Sequence, residues 1–239
     1  MGNQAYTASD HGFRDSDEYA RSKYLWTLEI LRTKKKNVRS VLNVGCGFGD
    51  FNYMLSSAGY EVWALEPDAS AFKTALEACT SVQILNRGIF DHGLERRFDA
   101  IVMHDVLEHI HDDSAALIEV TKLLSPDGIF CGSVPALPKL FGLHDELLGH
   151  FRRYQGSRLK FLFLEHFDDA KVRYFGLLGI PIVWYFSRFR RIAYPANSVT
   201  GSKSLLGKLW KLCCSIERRL APPIGSSLLF FARAKRITR

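Results

Sequence analysis

A chain of 239 residues with 47% hydrophobic and 24% charged side chains has the make-up of an ordinary globular protein. It is long enough for one or two domains with a buried core, and it shows no internal repeat or low-complexity tract. Its five cysteines, Cys46, Cys79, Cys131, Cys213 and Cys214, are odd in number and lack metal-ligand spacing, so the sequence predicts reduced thiols in a cytoplasmic compartment and no metal site. The net charge of +7 is unevenly spread, with 14 basic against 21 acidic side chains in residues 1–150 and 18 against 4 in residues 151–239. The C-terminal third therefore carries a field that attracts anionic partners, whether headgroups, phosphorylated substrates or nucleic acid.

In chain order, the polar N-terminus has no basic segment leading into an apolar run and reads as a lead-in without a secretory signal. Asp17 to Leu31 has a helical pattern, with Tyr24, Leu25, Leu28 and Leu31 on one side, and the run Lys34-Lys35-Lys36 ends it. Ser40–Val44 reads as a short buried strand. Phe51, Met54, Leu55 and Ala58 then recur at helical spacing until Gly59 stops the turn. A strand Tyr60–Leu65, a helix Ala69–Cys79 and a strand Val82–Leu85 follow. The pattern continues as strand Ala100–His104, helix Asp113–Leu123, turn Ser125–Gly128 and strand Ile129–Val134. Such alternation predicts a parallel sheet with helices on both faces.

Between the first strand and the next helix stands Val41-Leu42-Asn43-Val44-Gly45-Cys46-Gly47-Phe48-Gly49-Asp50. Glycines in that place let the main chain approach a ligand without intervening side chains. The dinucleotide fingerprint G-x-G-x-x-G needs glycine where Asp50 stands, and a carboxylate there would face a pyrophosphate. A nucleoside without phosphates fits better. Glu66 ends the second strand 17 residues past Gly49, where a carboxylate can accept both hydroxyls of a ribose. His104 and Asp105 fall at the carboxyl end of the fourth strand, where open α/β sheets bind ligands.

Four blocks in order resemble the class I S-adenosylmethionine-dependent methyltransferases, particularly the small-molecule branch that includes ubiquinone-biosynthesis-type enzymes. They are Val41–Gly49, Val62-Trp63-Ala64-Leu65-Glu66-Pro67, Phe98–Val102 leading into Val106-Leu107-Glu108-His109, and Leu124-Ser125-Pro126-Asp127-Gly128. The likeness runs from about residue 38 to 175. It implies a Rossmann-like methyltransferase fold, a mostly parallel seven-stranded sheet, and S-adenosyl-L-methionine as cofactor. The implied cofactor-binding residues are Asn43, Gly45, Cys46, Gly47, Gly49, Glu66, Pro67, Ile89, Phe90, His104 and Asp105. The last two would line the methionine part. The sequence departs from the pattern at Asn43, where the family usually has Asp or Glu, and in Asn86–Phe90, where the acidic residue that meets adenine is absent and main-chain groups of Ile89 and Phe90 would serve. Glu108 and His109 admit two readings, a ligand role or a bracing of the loop.

After the fifth strand comes His144-Asp145-Glu146-Leu147-Leu148-Gly149-His150-Phe151-Arg152-Arg153-Tyr154. It resembles a G-H-x-R-R-Y block of one subgroup associated with glycan or lipid substrates. His144 and His150 are candidate bases, while Arg152, Arg153 and Tyr154 are candidate substrate contacts. The competing reading is a structural loop held by salt bridges to Asp145 and Glu146.

The last strands should be Ala170–Phe175 and Leu228–Ala232, an antiparallel pair separated by far more than the usual hairpin loop of about 2–5 residues. The chain thus divides into a lead-in and helix (1–37), a cofactor domain (38–175 plus 227–239) and a basic amphipathic helical insertion (176–226). Pro181 can sit in the first turn of a helix that groups Ile182, Val183, Phe186 and Phe189 away from Arg188 and Arg191. A second helix, Ser204–Leu220, aligns Leu205, Leu209, Leu212, Cys213, Ile216 and Leu220 opposite Lys208, Lys211, Arg218 and Arg219. Basic amphipathic helices with Trp184 and Trp210 suit a membrane interface, and the apolar run Phe175–Phe186 is shorter than the about 20 residues that span a bilayer.

The sequence therefore predicts an enzyme, an S-adenosylmethionine-dependent methyltransferase acting on an oxygen of a lipid-linked, glycan or other amphiphilic small molecule. It would be cytoplasmic, with peripheral attachment to an anionic membrane surface through the insertion, or with the insertion as a substrate lid. The alternatives are a regulatory module that binds the cofactor or a methyltransferase associated with nucleic acid. No recognised nucleic-acid module and no Asn/Asp-Pro-Pro-Tyr-type signature supports the last, since His104-Asp105-Val106-Leu107 stands in that place. Acceptor identity and oligomeric state are not written in the sequence.

Overall fold

The computed structural model describes residues 17–35, 37–186 and 205–235. Helix α1, Glu18–Lys34, starts on Asp17, whose carboxylate accepts from the N–H groups of Tyr19 and Ala20 at 2.9 and 3.0 Å. Those donors would otherwise lack partners at a helix start. The chain then runs β1 Ser40–Val44, α2 Asp50–Ser57, β2 Glu61–Leu65, α3 Ala69–Ala78, β3 Gln83–Leu85, β4 Phe98–His104, α4 Asp113–Leu123 and β5 Leu124–Pro135. It closes with α5 Leu143–Leu148, α6 Gly156–His166, β6 Asp169–Phe175, α7 Gly179–Tyr185, α8 Leu205–Arg219 and β7 Ser227–Arg233.

The seven strands form one sheet in the order β3-β2-β1-β4-β5-β7-β6. All pairs from β3 to β5 are parallel, and β7 alone runs antiparallel between β5 and β6. Alternate residues face opposite layers, as strand geometry requires. Ile101 and Met103 of β4 pack with Leu117 and Val120 of α4 and with Leu159 and Phe163 of α6. Ala100 and Val102 face the other layer, with Trp26 and Leu31 of α1, Phe51 and Leu55 of α2, and Cys214 of α8. Both faces are covered, which is why every residue of β1 is buried and Ala100–Met103 of β4 read as an apolar run.

Three elements depart from the sequence reading, the first being the short helix α5 in the His144–Tyr154 block, where no helix was expected. Helix α6 was not expected, because Leu159, Phe161, Leu162, Phe163 and Leu164 form a run without the polar contrast that reveals a period; only Leu159 and Phe163 are fully buried, while Phe161 is exposed. The predicted turn Ser125–Gly128 lies inside β5 as an irregularity, where pairing passes from Phe98–Leu124 to Ala100–Ile129 and Asp127 takes a φ of +57°.

The strand order reverses beside β1, where β2 and β4 lie on either side. A crevice therefore opens at the carboxyl ends of β1 and β4. Within the insertion, α7 and α8 are present. Arg188, Phe189, Arg190, Arg191, Lys203 and Ser204 lie outside the described residues. Among the described residues no helix is long and apolar enough to cross a membrane.

Candidate active site

At the end of β1 the chain turns through Gly45, Gly47 and Gly49, at φ of +67°, +54° and +91°. The N–H groups of Gly45 and Cys46 donate to the Leu65 carbonyl at 2.8 and 3.1 Å, which ties the turn to the end of β2. A Cβ on Gly45 would stand 2.5 Å from Val106 Cγ2, so close packing excludes a side chain there. One on Gly47 would meet nothing within 4 Å. Gly47 thus shows bare main chain to open space.

Glu66 stands beside it. Its Oε2 accepts from the Gly47 N–H at 2.7 Å and its Oε1 from the Asp68 N–H at 3.0 Å. Burial raises its pKa above the ordinary carboxylate value against the opposing pull of these two donors. Each oxygen keeps further acceptor capacity for a hydroxyl. Asn86, which the sequence reading did not single out, fixes this corner: its amide donates to the carbonyls of Glu66 and Pro67 at 2.8 and 3.1 Å. On the same rim Ile89 is buried in the core and Phe90 is 58% exposed. Asn43 turns to Asn52, donating from Nδ2 to Oδ1 at 2.8 Å, both side chains being buried. The Cys46 thiol is pushed up to about 12 by burial, which makes it a packing group rather than a nucleophile.

At the end of β4, His104 bridges two elements, with Nδ1 at 3.0 Å from Ser133 Oγ and Nε2 at 3.1 Å from Thr27 Oγ1. The rings of Tyr24 and Phe51 stand edge-on to it at 5.0 and 5.1 Å. Burial, helped by the Lys23 ammonium, holds its pKa down at about 3, so the imidazole is neutral. Asp105, at a φ of +54°, pairs with Lys23 and accepts from Ser133 Oγ at 3.1 Å. Burial works to raise this carboxyl, and Lys23 beside it overrides that and keeps it below its ordinary value. Lys23 and Thr27 come from α1 and were missed by the sequence reading. Their signal was two polar residues on a face otherwise buried by Trp26, Ile30 and Leu31.

A second group gathers where the segments after β4 and β5 meet. Asp145, fully buried, accepts at Oδ1 from Arg153 Nε at 2.8 Å, and the same oxygen lies 2.8 Å from His150 Nδ1; its Oδ2 accepts from the Gly142 N–H at 3.1 Å. Burial tends to raise the Asp145 pKa, but His150 and Arg153 keep it low. The His150 ring meets His109 edge-on at 4.6 Å. Glu108, His109 and His150 bring one ligand atom each within 4.8 Å of one another. Both Glu108 carboxylate oxygens are buried without a hydrogen-bond partner, and burial lifts that carboxyl well above its ordinary value. This donor set is the one place among the described residues where a divalent cation could be held. Its Asp145–His150 bond would orient the ring in the manner of a ligand's outer partner.

The other predicted residues of this block are placed differently. Arg152 donates from Nη1 to Asp113 at 2.8 Å and from Nη2 to the His111 carbonyl, Arg153 is buried on Asp145, and the Tyr154 hydroxyl donates to Asp113 at 3.0 Å. In this geometry all three brace the loop against neighbouring segments. His144 lies in α5 with its pKa lowered by burial to about 4, and of the two histidines only His150 joins Glu108 and His109.

Comparisons with known proteins bear on the domain and the fold. Residues 42–132 match the family profile described as a methyltransferase domain. The ubiquinone biosynthesis O-methyltransferase of Xanthomonas oryzae pv. oryzae (strain PXO99A) is 30% identical over 110 residues, covering 43% of this chain and 46% of that protein. That of Proteus mirabilis (strain HI4320) is 31% identical over 96 residues, covering 38% and 39%. The chain thus spans less than half the length of the curated relatives it matches. Among solved structures, a chain of the Haloferax volcanii complex holding the Trm112 methyltransferase activator superposes with a TM-score of 0.62 at 16% identity, covering 97% of this chain and 95% of that one. A Haemonchus contortus phosphoethanolamine N-methyltransferase superposes with a TM-score of 0.60 at 16% identity, covering 89% of this chain and 52% of that one. These two likenesses show the fold.

Proposed function

We propose that the chain, whose residues 42–132 match a methyltransferase domain, is an S-adenosylmethionine-dependent methyltransferase that transfers a methyl group to an oxygen of an amphiphilic small molecule. A lipid-linked or glycan acceptor fits best. The observation that carries the cofactor reading is the pairing of bare main chain at Gly47 with the Glu66 carboxylate 2.7 Å from its N–H. A nucleoside can lie on that main chain with its ribose hydroxyls on Glu66. The glycine turn, Glu66 and the rim at Phe90 hold the adenosine end, and the Lys23–Asp105–His104 group borders the methionine end.

The bound cofactor supplies an activated sulfonium methyl, so the protein's task is to align the acceptor and exclude water. With the cofactor bound, the acceptor oxygen would gain the methyl carbon as the carbon–sulfur bond left its electron pair on sulfur. His150 takes the hydroxyl proton at Nε2. Asp145, 2.8 Å from Nδ1, holds the ring in the tautomer that leaves Nε2 free to accept it. Peripheral attachment to a membrane surface would bring such an acceptor to this rim. The orphaned oxygens of Glu108 favour a second reading in which Glu108, His109 and His150 would hold a divalent cation, whose chemistry there would be to acidify the acceptor hydroxyl.

The test is transfer of labelled methyl from S-adenosylmethionine to extracted membrane lipids, to soluble glycans and to RNA, each with and without chelator. Label entering the lipid or glycan fraction supports the reading, and label entering RNA alone overturns it. Loss of turnover in chelator, restored by added divalent cation, selects the cation over the base.

A further inference from the structure

Helix α8 is built the wrong way round for a lid. Its inner side is Gly207, Trp210, Cys214 and Glu217, packed along α1: Tyr19 stacks on Trp210 with ring centroids 6.3 Å apart, Lys211 reaches Glu18 at 3.0 Å and Arg218 reaches Glu29 at 3.4 Å. Its most apolar residues point away from the protein. Leu205, Leu209, Leu212, Ile216 and Leu220 are 75%, 49%, 56%, 48% and 69% exposed. At about 100° per residue these five fall within an arc of roughly 80°, opposite Cys214. The sequence had set the basic residues opposite this stripe. Instead Lys208, Lys211 and Arg219 flank it on one side and are exposed, while Arg218 turns in toward α1.

The acidic member of the insertion is turned inward. Glu217 is the sole acidic residue in 176–226. Its Oε2 accepts from the N–H groups of Gly176 and Leu177 at 2.6 and 3.0 Å. Leu177, Leu178 and Ile224, next to the C-terminal end of α8 in fold or sequence, are themselves 39%, 46% and 41% exposed. The outer surface thus offers apolar side chains beside cations, with its one carboxylate withdrawn. A second copy of the chain would bring the same cations against themselves, whereas a layer of anionic headgroups over acyl chains matches both halves of the pattern.

We propose that the outer face of α8 docks on an anionic lipid bilayer, lying in the interface with Leu209, Leu212 and Ile216 among the acyl chains and Lys208 and Arg219 among the headgroups. This deepens the amphiphilic-acceptor reading by naming the surface that meets the membrane. It also gives the arrangement a purpose, since α1, clamped beneath α8, is the helix whose Lys23 and Thr27 border the candidate site.

The experiment is co-sedimentation of the full chain with vesicles of phosphatidylcholine alone or mixed with phosphatidylserine, at low and high salt. Two variants accompany it, Leu209→Glu/Leu212→Glu/Ile216→Glu and Lys208→Glu/Arg219→Glu, all at exposed positions. Sedimentation velocity without lipid and titration with S-adenosylhomocysteine are run on each. The expected result is pelleting of the wild type with anionic vesicles, reduced at least tenfold in the apolar variant, and in the charge variant reduced chiefly at low salt, where screening is weakest. Failure of the wild type to pellet, or undiminished pelleting of the apolar variant, would overturn the proposal. So would a wild-type dimer that the apolar variant converts to a monomer, because the occupant would then be a second copy. Retained S-adenosylhomocysteine affinity in a chain that does not pellet refutes the docking alone. Absent affinity in a chain that pellets refutes the cofactor reading alone.

Discussion

The glycine turn and the His150 cluster lie at the same edge of the sheet and are assembled over different lengths of chain. Gly47 and Glu66 are 19 residues apart and meet because one βαβ unit brings the ends of β1 and β2 side by side. His150 and Asp145 are near in sequence, but they face Glu108 and His109 from a different crossover, and Lys23 reaches Asp105 across 82 residues. The turn is held by backbone hydrogen bonds, so its shape belongs to the strands. The cluster is held by buried side chains that depend on one another, so losing one member exposes the rest to a cost. The cofactor end should therefore respond to mutation in affinity with little loss of fold, and the cluster in turnover and stability together.

The largest expected departure is at His150. Replacement by Ala should lower turnover by about 10²–10⁴-fold while leaving S-adenosylhomocysteine affinity unchanged, read from initial rates and a separate titration. A parallel His144→Ala variant should keep most of its activity, since the structure leaves His144 out of the cluster. Near-wild-type rates in both variants would remove the cluster from the chemistry and so break the contrast between the two ends of the site.

Asp145→Ala comes next. It leaves the Arg153 guanidinium buried without its carboxylate, a change that typically costs about 3–5 kcal/mol. Denaturant unfolding should show that loss at neutral pH. The folded pKa of Asp145 is depressed, so its contribution is present above the ordinary carboxylate value and is lost as pH falls through the folded one. The gap between variant and wild type should accordingly narrow in acid. A gap that stays constant down to low pH would mean that the pair contributes through packing rather than charge.

The two ends also differ in how much of them the sequence disclosed. The glycine spacing and the acidic residue ending β2 are local patterns, and the alternating strands β1 to β5 and the antiparallel closing pair were legible too, whereas the order of the strands is set by the fold. Lys23 and Asn86 were hidden because their partners are set by the fold rather than by neighbours in the chain. Arg152 read as a substrate contact because its carboxylate, Asp113, becomes a neighbour only when the segments after β4 and β5 pack together, whereas the Arg153–Asp145 pair lies within one segment and belongs to the loop reading weighed there. Helix α8 gave its amphipathic pattern plainly. What the pattern could not say was which side faces the protein, since Trp210, Cys214 and Gly207 pack on α1 while a richer stripe of leucines remains outside.

The smallest effect is expected at Glu108. Its folded pKa is raised by burial, so the folded chain holds that proton more tightly than the unfolded chain, and stability falls as pH rises from the unfolded carboxylate value toward the folded one. Glu108→Gln should raise the thermal midpoint by a few degrees near pH 8 and by less near pH 5, a shift of about 1 kcal/mol or more in stability at the higher pH. If divalent cation stabilises the wild type at pH 8 and not the variant, the cluster's cation reading is strengthened over the base reading.

The central claim is that Glu66 and the bare main chain at Gly47 hold the cofactor. It is tested most directly by calorimetric titration of S-adenosylhomocysteine into the wild type and Glu66→Ala, with the fold of each checked by its thermal midpoint. The expected result is one site in the wild type and at least a tenfold weaker one in the variant, as loss of hydrogen bonds to a charged acceptor gives, with similar midpoints. Equal affinity in the two proteins, or no binding by a folded wild type, would contradict it.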